Sequence, residues 1–388
     1  MTGREEPTAG RRRPRDRRRQ IVAHARELFV DHGFPNVSMA TIAAGVGITA
    51  GALYRHFSDK ADLLRAVCLD GFAYQDDPIR DATPEAFIDG AIAAVSARPY
   101  LGVLWFREIR YLPPESQREM RARLRRWTHS FLPVLGRARP ELDDGQAEIL
   151  AWSLHSALAG LVTRSGRVPE DERVAGVRTA MSVLIRTQLV PTGPWMPTSP
   201  RRLPQSRRER LLLAATEQFG ERGYSETSMA NIAAAAGTTG PNLYGYFESK
   251  ADLLRGVLDR GRHAAWFVLD RALAEADSPE SALHLLVEGQ LRLSRTWTRW
   301  VVDPEIGDEL IAGTQRAQSE YIDEWTALVC EADPAAGRLE ARMRVIIATA
   351  ILSDLGRTPR VSARTTFASN VQAIAMAVLH GDQPAPSS

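Results

Sequence analysis

The chain holds 388 residues, 44% of them apolar, with a formal net charge of +2 and only two cysteines, Cys68 and Cys330. That length accommodates about two to four domains with a sizeable core, and no uninterrupted apolar run of about 18 residues exists to suggest a membrane span. Two thiols make neither a disulfide framework nor, alone, a metal site; the basic N-terminus has no apolar signal region behind it, so a cytoplasmic protein without metal or cofactor is expected.

In chain order, residues 1–15 are polar, basic and Gly/Pro-containing, and read as a disordered arm. Helix 1 is predicted from about Pro14 to His32, with Ile21, Ala25, Leu28 and Phe29 on one face and Gly33 as C-cap. Ser38 caps helix 2, whose Ile42 and Ala43 face inward, and the turn is Gly45-Val46-Gly47-Ile48. Thr49 caps helix 3, which carries Leu53 and Phe57 inward. Asp59 caps helix 4, with Asp62 completing a capping-box-like start; this helix runs to about Tyr74. Amphipathic helices follow at about 84–97, 100–112, 115–136, 143–164 and 169–188. Residues 190–205 hold five prolines and read as a linker; extended, it could span up to about 50 Å, enough to return from a distal bundle to a DNA surface. Helices are predicted again at about 206–222, 228–235, 239–246, 249–276, 279–297, 307–331, 334–354 and 360–380, before a disordered tail. Almost nothing reads as a strand, so the fold class is all-α.

The second set copies the first at an offset of 190 residues. Phe29 aligns with Phe219, Gly33 with Gly223, Ser38-Met39-Ala40 with Ser228-Met229-Ala230, Gly47 with Gly237 and Leu53-Tyr54 with Leu243-Tyr244. The Lys-Ala-Asp-Leu-Leu-Arg run starts at both Lys60 and Lys250. Those are the only two lysines in a chain otherwise basic through arginine. Self-similarity at a fixed period marks a repeat architecture.

A short helix, a glycine turn and a capped third helix form the geometry that lays a recognition helix in the major groove. In repeat 1 the first turn of helix 3 offers Thr49, Ala50, Gly51 and Ala52, followed by Tyr54, Arg55 and His56. In repeat 2 it offers Thr239, Gly240, Pro241 and Asn242, followed by Tyr244 and Tyr246. Small residues allow close approach; Asn242 suits bidentate bonding to adenine, and Arg55 suits guanine or phosphate. Tyr54 and Tyr244 suit phosphate contact, or else pack inside the head. Arg17 and Arg18, in the basic N-terminal run, and the capping residues Ser38 and Ser228 join the DNA-facing set. Lys60 and Lys250 sit at the first position of helix 4, where a cation opposes the helix dipole; a nearby phosphate would reverse that cost, the other reading being a copied, indifferent lysine.

This pattern, with Phe29, Gly33, Ser38-Met39, Ile42-Ala43, Gly47-Ile48-Thr49, Leu53-Tyr54, His56-Phe57, Lys60 and Leu63-Leu64, resembles the TetR/AcrR family of bacterial one-component regulators. The set from Phe219 to Leu254 resembles it too. The resemblance implies two tandem repeats, each a three-helix DNA-binding head plus a helical effector and dimerisation domain. It implies that the last two long helices of each repeat form a four-helix interface, here inside one chain, as a pseudo-dimer that is functional alone and open to further self-association. The implied domains are the arm 1–15, a head at 16–65, an effector domain at 66–189, the linker 190–205, a head at 206–255 and an effector domain at 256–381. Repeat 2 departs from the pattern at Gly245, where a basic residue is more usual, and has Tyr246 in place of His56. The tandem layout and the segment Val103–Leu112 are similar to a smaller actinobacterial group that includes the repressor of a mammalian-cell-entry lipid/sterol transport operon, which suggests control of lipid or sterol uptake and catabolism.

The resemblance also implies an effector pocket among helices 4 to 7 of each repeat. Its candidates are Phe72, Trp105, Arg107, Tyr111 and Trp127 in repeat 1, and Trp266, Trp297, Trp300 and Trp325 in repeat 2. An apolar cleft with an arginine suits a hydrophobic or lipid-like effector bearing a carboxylate or phosphate. The alternatives are that the aromatics fill the core and that Arg107, Glu108 and Arg110 form an intrahelical ion-pair cluster.

The expected partner is therefore double-stranded operator DNA, read as two unlike half-sites. No phosphate-binding glycine loop, metal-ligand cluster or nucleophile motif is present, and Ser153 with His155 is a weak coincidence, so an enzyme is not expected. The remaining alternative is a regulator whose first head alone binds DNA, repeat 2 serving for sensing and dimerisation.

Overall fold

The computed structural model describes residues 14–73, 83–162, 168–195, 202–224, 227–294, 308–356, 358 and 362–381. Trp297, Trp300, Tyr74 and most of the arm and tail lie outside them. Among the described residues there is no strand, only one bridge between Trp195 and Arg364, and the architecture is all-α.

The first head consists of α1 (Pro14–His32), α2 (Met39–Gly45), α3 (Ala50–Tyr54) and the start of α4 (Lys60–Gly71). Of the apolar stripes predicted, Ile21, Ala25, Phe29, Ile42, Ala43, Leu53 and Phe57 are buried and Leu28 is half-buried, and Leu63 and Leu64 of α4 complete the core. The second head repeats it with α11 (Arg207–Arg222), α12 (Met229–Ala235), α13 (Gly240–Tyr244) and α14 (Lys250–Glu275) around Leu211, Ala215, Phe219, Ile232, Leu243, Phe247 and Leu253. One difference is length. α14 runs unbroken for 26 residues, whereas α4 has 12.

Repeat 1 continues through α5 (Pro84–Ser96), α6 (Leu101–Val103), α7 (Pro114–His129), α8 (Leu132–Ala138), α9 (Asp144–Val162) and α10 (Glu170–Arg186). Two expectations are corrected here. The helix predicted at 100–112 is mostly not α: Leu104–Glu108 form a π turn and Ile109–Tyr111 a 3-10 turn. The helix predicted at 115–136 breaks after His129, because Pro133 opens the next helix and its ring would clash with the carbonyl four residues back. Repeat 2 ends in α15 (Pro279–Ser294), α16 (Asp308–Ala332), α17 (Arg338–Gly356) and α18 (Phe367–His380).

The chain divides into two compact units. One comprises the described residues up to 73 together with 103–123; the other holds 83–102 and everything described from 124 onward. The domain expected at 66–189 is thus shared between both.

In the second unit, α9 and α10 of repeat 1 pack with α17 and α18 of repeat 2. The four facing stripes are apolar, with Leu150, Leu154, Val177, Met181, Met343, Ile347, Ile351, Val371 and Ile374 buried. Gly176 on α10 permits the closest approach, since a Cβ there would lie 2.8 Å from that of Met343. The start of the expected linker is not loose. Val190 donates its N–H to Asn370 Oδ1 at 2.8 Å and accepts from Asn370 Nδ2 at 3.0 Å. Thr192 donates N–H and O–H to Asp143, both at 2.6 Å, and Gly193 N–H reaches Thr366 Oγ1 at 2.9 Å. Burial raises the Asp143 carboxyl, but the hydrogen bonds from Thr192, Gln146 and Gly145 outweigh it and hold the group below its ordinary value. Residues 187–195 are a strap laid from repeat 1 onto α18.

Candidate nucleic-acid interface

Each head builds its recognition helix from local capping. Ser38 Oγ accepts Thr41 N–H at 3.0 Å and Ser228 Oγ accepts Asn231 N–H at 3.1 Å, starting α2 and α12. The turn then reverses through a glycine with positive φ, Gly47 at 70° and Gly237 at 69°, a region open to glycine because it has no Cβ. Ile48 N–H reaches back to Ala43 O at 3.0 Å, and Thr238 N–H to Ala233 O at 2.9 Å. Thr49 Oγ1 accepts Ala52 N–H at 3.2 Å and opens α3. Thr239 holds the same place before α13, but its hydroxyl makes no cap bond.

These short helices present the residues the sequence marks. Leu53 and Leu243 point into the core, while Tyr54 is 53% exposed, Tyr244 57% and Tyr246 45%. The packing alternative for these tyrosines fails. Gly51, Arg55, Thr239 and Asn242 are exposed; Ala50, His56 and Gly240 are half-buried. No atom approaches the Cβ positions of Gly51 and Gly240 within 4 Å, so both helices offer a bare, close-approach first turn. Arg17 donates to Val46 O at 3.3 Å and to Gln20 at 3.2 Å, tying α1 to the turn. Arg18 is exposed.

Lys60 and Lys250 both reach back to the segment after the first helix of their head. Lys60 Nζ donates to Phe34 O at 2.8 Å, Val37 O at 2.9 Å and Pro35 O at 3.4 Å, and lies 4.3 Å from the Phe34 ring centroid. Three donors meet three carbonyls, so the ammonium clips the loop between α1 and α2. Lys250 Nζ repeats this on Tyr224 O at 2.9 Å and on its ring at 4.4 Å. Burial pulls the Lys60 ammonium below the ordinary lysine value.

Arg107 Nη2 donates to Phe29 O and Val30 O, both at 2.7 Å, at the end of α1, where helix carbonyls run out of intrahelical partners and a cation is favourable; Phe29 O also accepts the Gly33 N–H at 3.0 Å. Its Nε pairs with Glu108, which is fully buried and accepts Phe34 N–H at 3.0 Å. Tyr111 stacks on Phe34 at 5.1 Å. Both grip the first head. Of the other pocket candidates, Phe72 meets Trp105 edge-on at 5.8 Å. Trp127 is packed edge-on against Phe131 at 4.8 Å and His155 at 5.3 Å, as core. In repeat 2, Trp266, Tyr321 and Trp325 form a row of rings at 5.9 and 6.1 Å, with burial pushing the Tyr321 hydroxyl up to about 12.

A family model described as "Bacterial regulatory proteins, tetR family" matches residues 21–67 and again 211–257, the same offset as the repeat. The chain carries the TetR-family DNA-binding domain twice. Both TetR domains coincide with the two capped heads. The chain is similar to the HTH-type transcriptional activator FasR of Mycolicibacterium smegmatis, 43% identical over 70 residues, covering 17% of this chain and 32% of FasR. It is similar to the HTH-type transcriptional repressor BepR of Brucella suis, 37% identical over 79 residues, covering 20% of this chain and 37% of BepR. It thus spans about a third of the length of these relatives. A TetR-family regulator structure from Bordetella parapertussis aligns with 46% of this chain and 97% of its own at 19% identity, with a TM-score of 0.40.

Proposed function

We propose that the chain is a ligand-responsive transcriptional repressor that works as a single-chain pseudo-dimer. It binds double-stranded operator DNA in the cytoplasm and reads two unlike half-sites through Thr49–His56 and Thr239–Tyr246. The observation that carries this reading is the pair of solvent-facing recognition helices whose framework is shared and whose exposed residues differ. A homodimer reads a palindrome because its heads are identical; these differ at Ala50/Gly240, Gly51/Pro241, Ala52/Asn242, Arg55/Gly245 and His56/Tyr246. The packing of α9 and α10 on α17 and α18 supports reading this contact as the interface that two chains would otherwise make. Repression as the direction of control follows the printed name of the Brucella relative.

Effector response is supported by the grip of Arg107, Glu108 and Tyr111 on the α1–α2 loop. Displacement of the π turn by a hydrophobic or lipid-like effector would move that loop. Phe72 and Trp105, the latter on the π turn itself, would meet that effector in repeat 1, and Trp266 and Trp325 in repeat 2. Lipid or sterol uptake and catabolism remain the regulated pathway we favour from the segment Val103–Leu112.

The test is a mobility shift of the intergenic DNA upstream of the gene, with a footprint. We expect one chain to protect two dissimilar half-sites and affinity to fall steeply with salt; two chains on a perfect palindrome would refute the reading. A second reading, in which only the first head binds, is favoured by the idle Thr239 hydroxyl and bare Gly245. A footprint confined to one half-site would decide for it.

A further inference from the structure

Lys60 is engaged by three loop carbonyls and Lys250 by the carbonyl of Tyr224, which raises the question of which other cations meet the DNA backbone. A second duplicated pair answers this. The Arg18 guanidinium lies 4.7 Å from the centroid of the Phe57 ring, and that of Arg208 lies 5.3 Å from the Phe247 ring. Both members of the pair obey the 190-residue offset. Phe57 and Phe247 are buried at 1% and 3%. Each is fixed to its recognition helix, Phe57 N–H donating to Leu53 O and Phe247 N–H to Leu243 O, both at 3.1 Å. The ring is therefore a rigid platform at the end of α3 or α13.

We infer that Arg18 and Arg208 are matched backbone-phosphate anchors, one per head, held ready by the phenylalanine that closes each recognition helix. This rests on the DNA-binding reading and deepens it. A guanidinium lying on a ring face keeps its in-plane N–H donors for a second acceptor, and that planar fork suits a phosphate. Arg18 is exposed, and the Arg208 side chain is 52% exposed. Among the described residues, the carboxylate near Arg208 is its half-buried neighbour Glu209, at 3.6 Å, which is shared with Arg260 at 3.4 Å; ion pairs this near the surface contribute little. Arg17, by contrast, is committed to Val46 O and Gln20. Resting on the ring also removes part of the freedom that a long side chain otherwise loses on binding. Sequence alone hides this role: Arg208 stands in a basic run where every arginine looks alike.

The experiment measures binding of the full chain to a random-sequence duplex of about 30 base pairs by fluorescence anisotropy, between about 50 and 200 mM salt, where each neutralised phosphate adds about 0.9 to the log–log slope. Arg18→Ala and Arg208→Ala should each flatten the slope by roughly one, and the double variant by roughly two. Arg18→Lys should keep the slope but bind several-fold more weakly, having a point charge in place of the stacked fork. Arg292→Ala, on the exposed side of α15, should change nothing. Arg18→Gln and Arg208→Gln repeat the test should an alanine variant lose its helical signal. Normal salt-dependent binding with unchanged slopes in both single variants overturns the anchors alone. An unaltered chain that shows no salt-dependent binding overturns the DNA-binding reading and the anchors together.

Discussion

Glu108, fully buried on a π turn, accepts the backbone N–H of Phe34 at 3.0 Å. Through this bond and its pair with Arg107, the 104–111 segment belongs to the first head and not to a separate effector domain. π turns are rare and tend to occur at functional positions; this one aims two adjacent charged residues at the same loop. Glu108→Ala leaves an unpaired N–H and a half-buried guanidinium without its partner, and should cost about 3 kcal/mol by urea unfolding. Glu108→Gln retains an acceptor and should recover part of that. Equal losses in the two variants would rule out the Phe34 bond as the source.

Head 1 and head 2 solve the same contact between their first two helices differently. His24 lies against Gly45, where any Cβ would run into its ring; the matching positions in repeat 2 are Ala214 and Ala235. Gly45→Ala should therefore destabilise the first head by about 1–3 kcal/mol through overpacking. Adding His24→Ala, which recreates the repeat 2 pair, should restore most of it. A double-mutant cycle with no coupling would show that the ring moves aside freely.

The bare position after α13 invites a gain of function. No atom but Asn242 O, at 3.5 Å, lies within 4 Å of a Cβ at Gly245. Gly245→Arg, which copies Arg55, should tighten DNA binding several-fold and steepen the salt slope by about one. An unchanged slope would mean that this position faces away from the duplex.

Asn370 holds the strap by a two-way bond to Val190 and is itself 1% exposed. Asn370→Ala strands both backbone groups of Val190 and should cost about 2–3 kcal/mol, with faster proteolysis within 187–195. Asn370→Asp keeps one acceptor and should fall between. Proteolysis at the wild-type rate in the alanine variant would show that Asp143 and Thr366 suffice.

The Cys68 thiol is pushed up to about 12 from 9.0, first by burial and then by Glu108. A thiol kept protonated does not attack alkylating reagents, so iodoacetamide at about pH 8 should label the partly exposed Cys330 and spare Cys68 until the chain is unfolded. The folded value lies above the unfolded one. The stability this group contributes is therefore intact below about 9 and declines as pH rises from there toward about 12. Cys68→Ala should flatten that decline; rapid native labelling of Cys68 would contradict its burial.

The heads were legible because their signals are local. A cap at Ser38, Thr49 or Asp59 satisfies an N–H three residues on, so the pattern that predicts it also contains its partner. The last helices of both repeats were legible for a similar reason, since their apolar stripes repeat every turn. The break after His129 was readable from Pro133 and was missed because the flanking pattern stays amphipathic. The pocket was not legible: a buried tryptophan has the same sequence signature whether it lines a cleft or, like Trp127, fills a core.

Returning to the duplicated stretches, sequence by itself determined the two heads, their caps, their glycine turns and the residues their recognition helices display. Each of these depends on residues within about four positions of one another. Tertiary structure decided what the long cations do. Lys60 and Arg107 bond to backbone carbonyls distant in the chain, and a backbone group carries no residue identity to be read; the strap's backbone meets the side chain of Asn370, 180 positions away. The fold also shows that a lysine repeated at Lys60 and Lys250 need not mark a ligand. It can mark a loop contact: three carbonyls turn toward the Lys60 ammonium and that of Tyr224 toward the Lys250 ammonium, bonds that the charge strengthens.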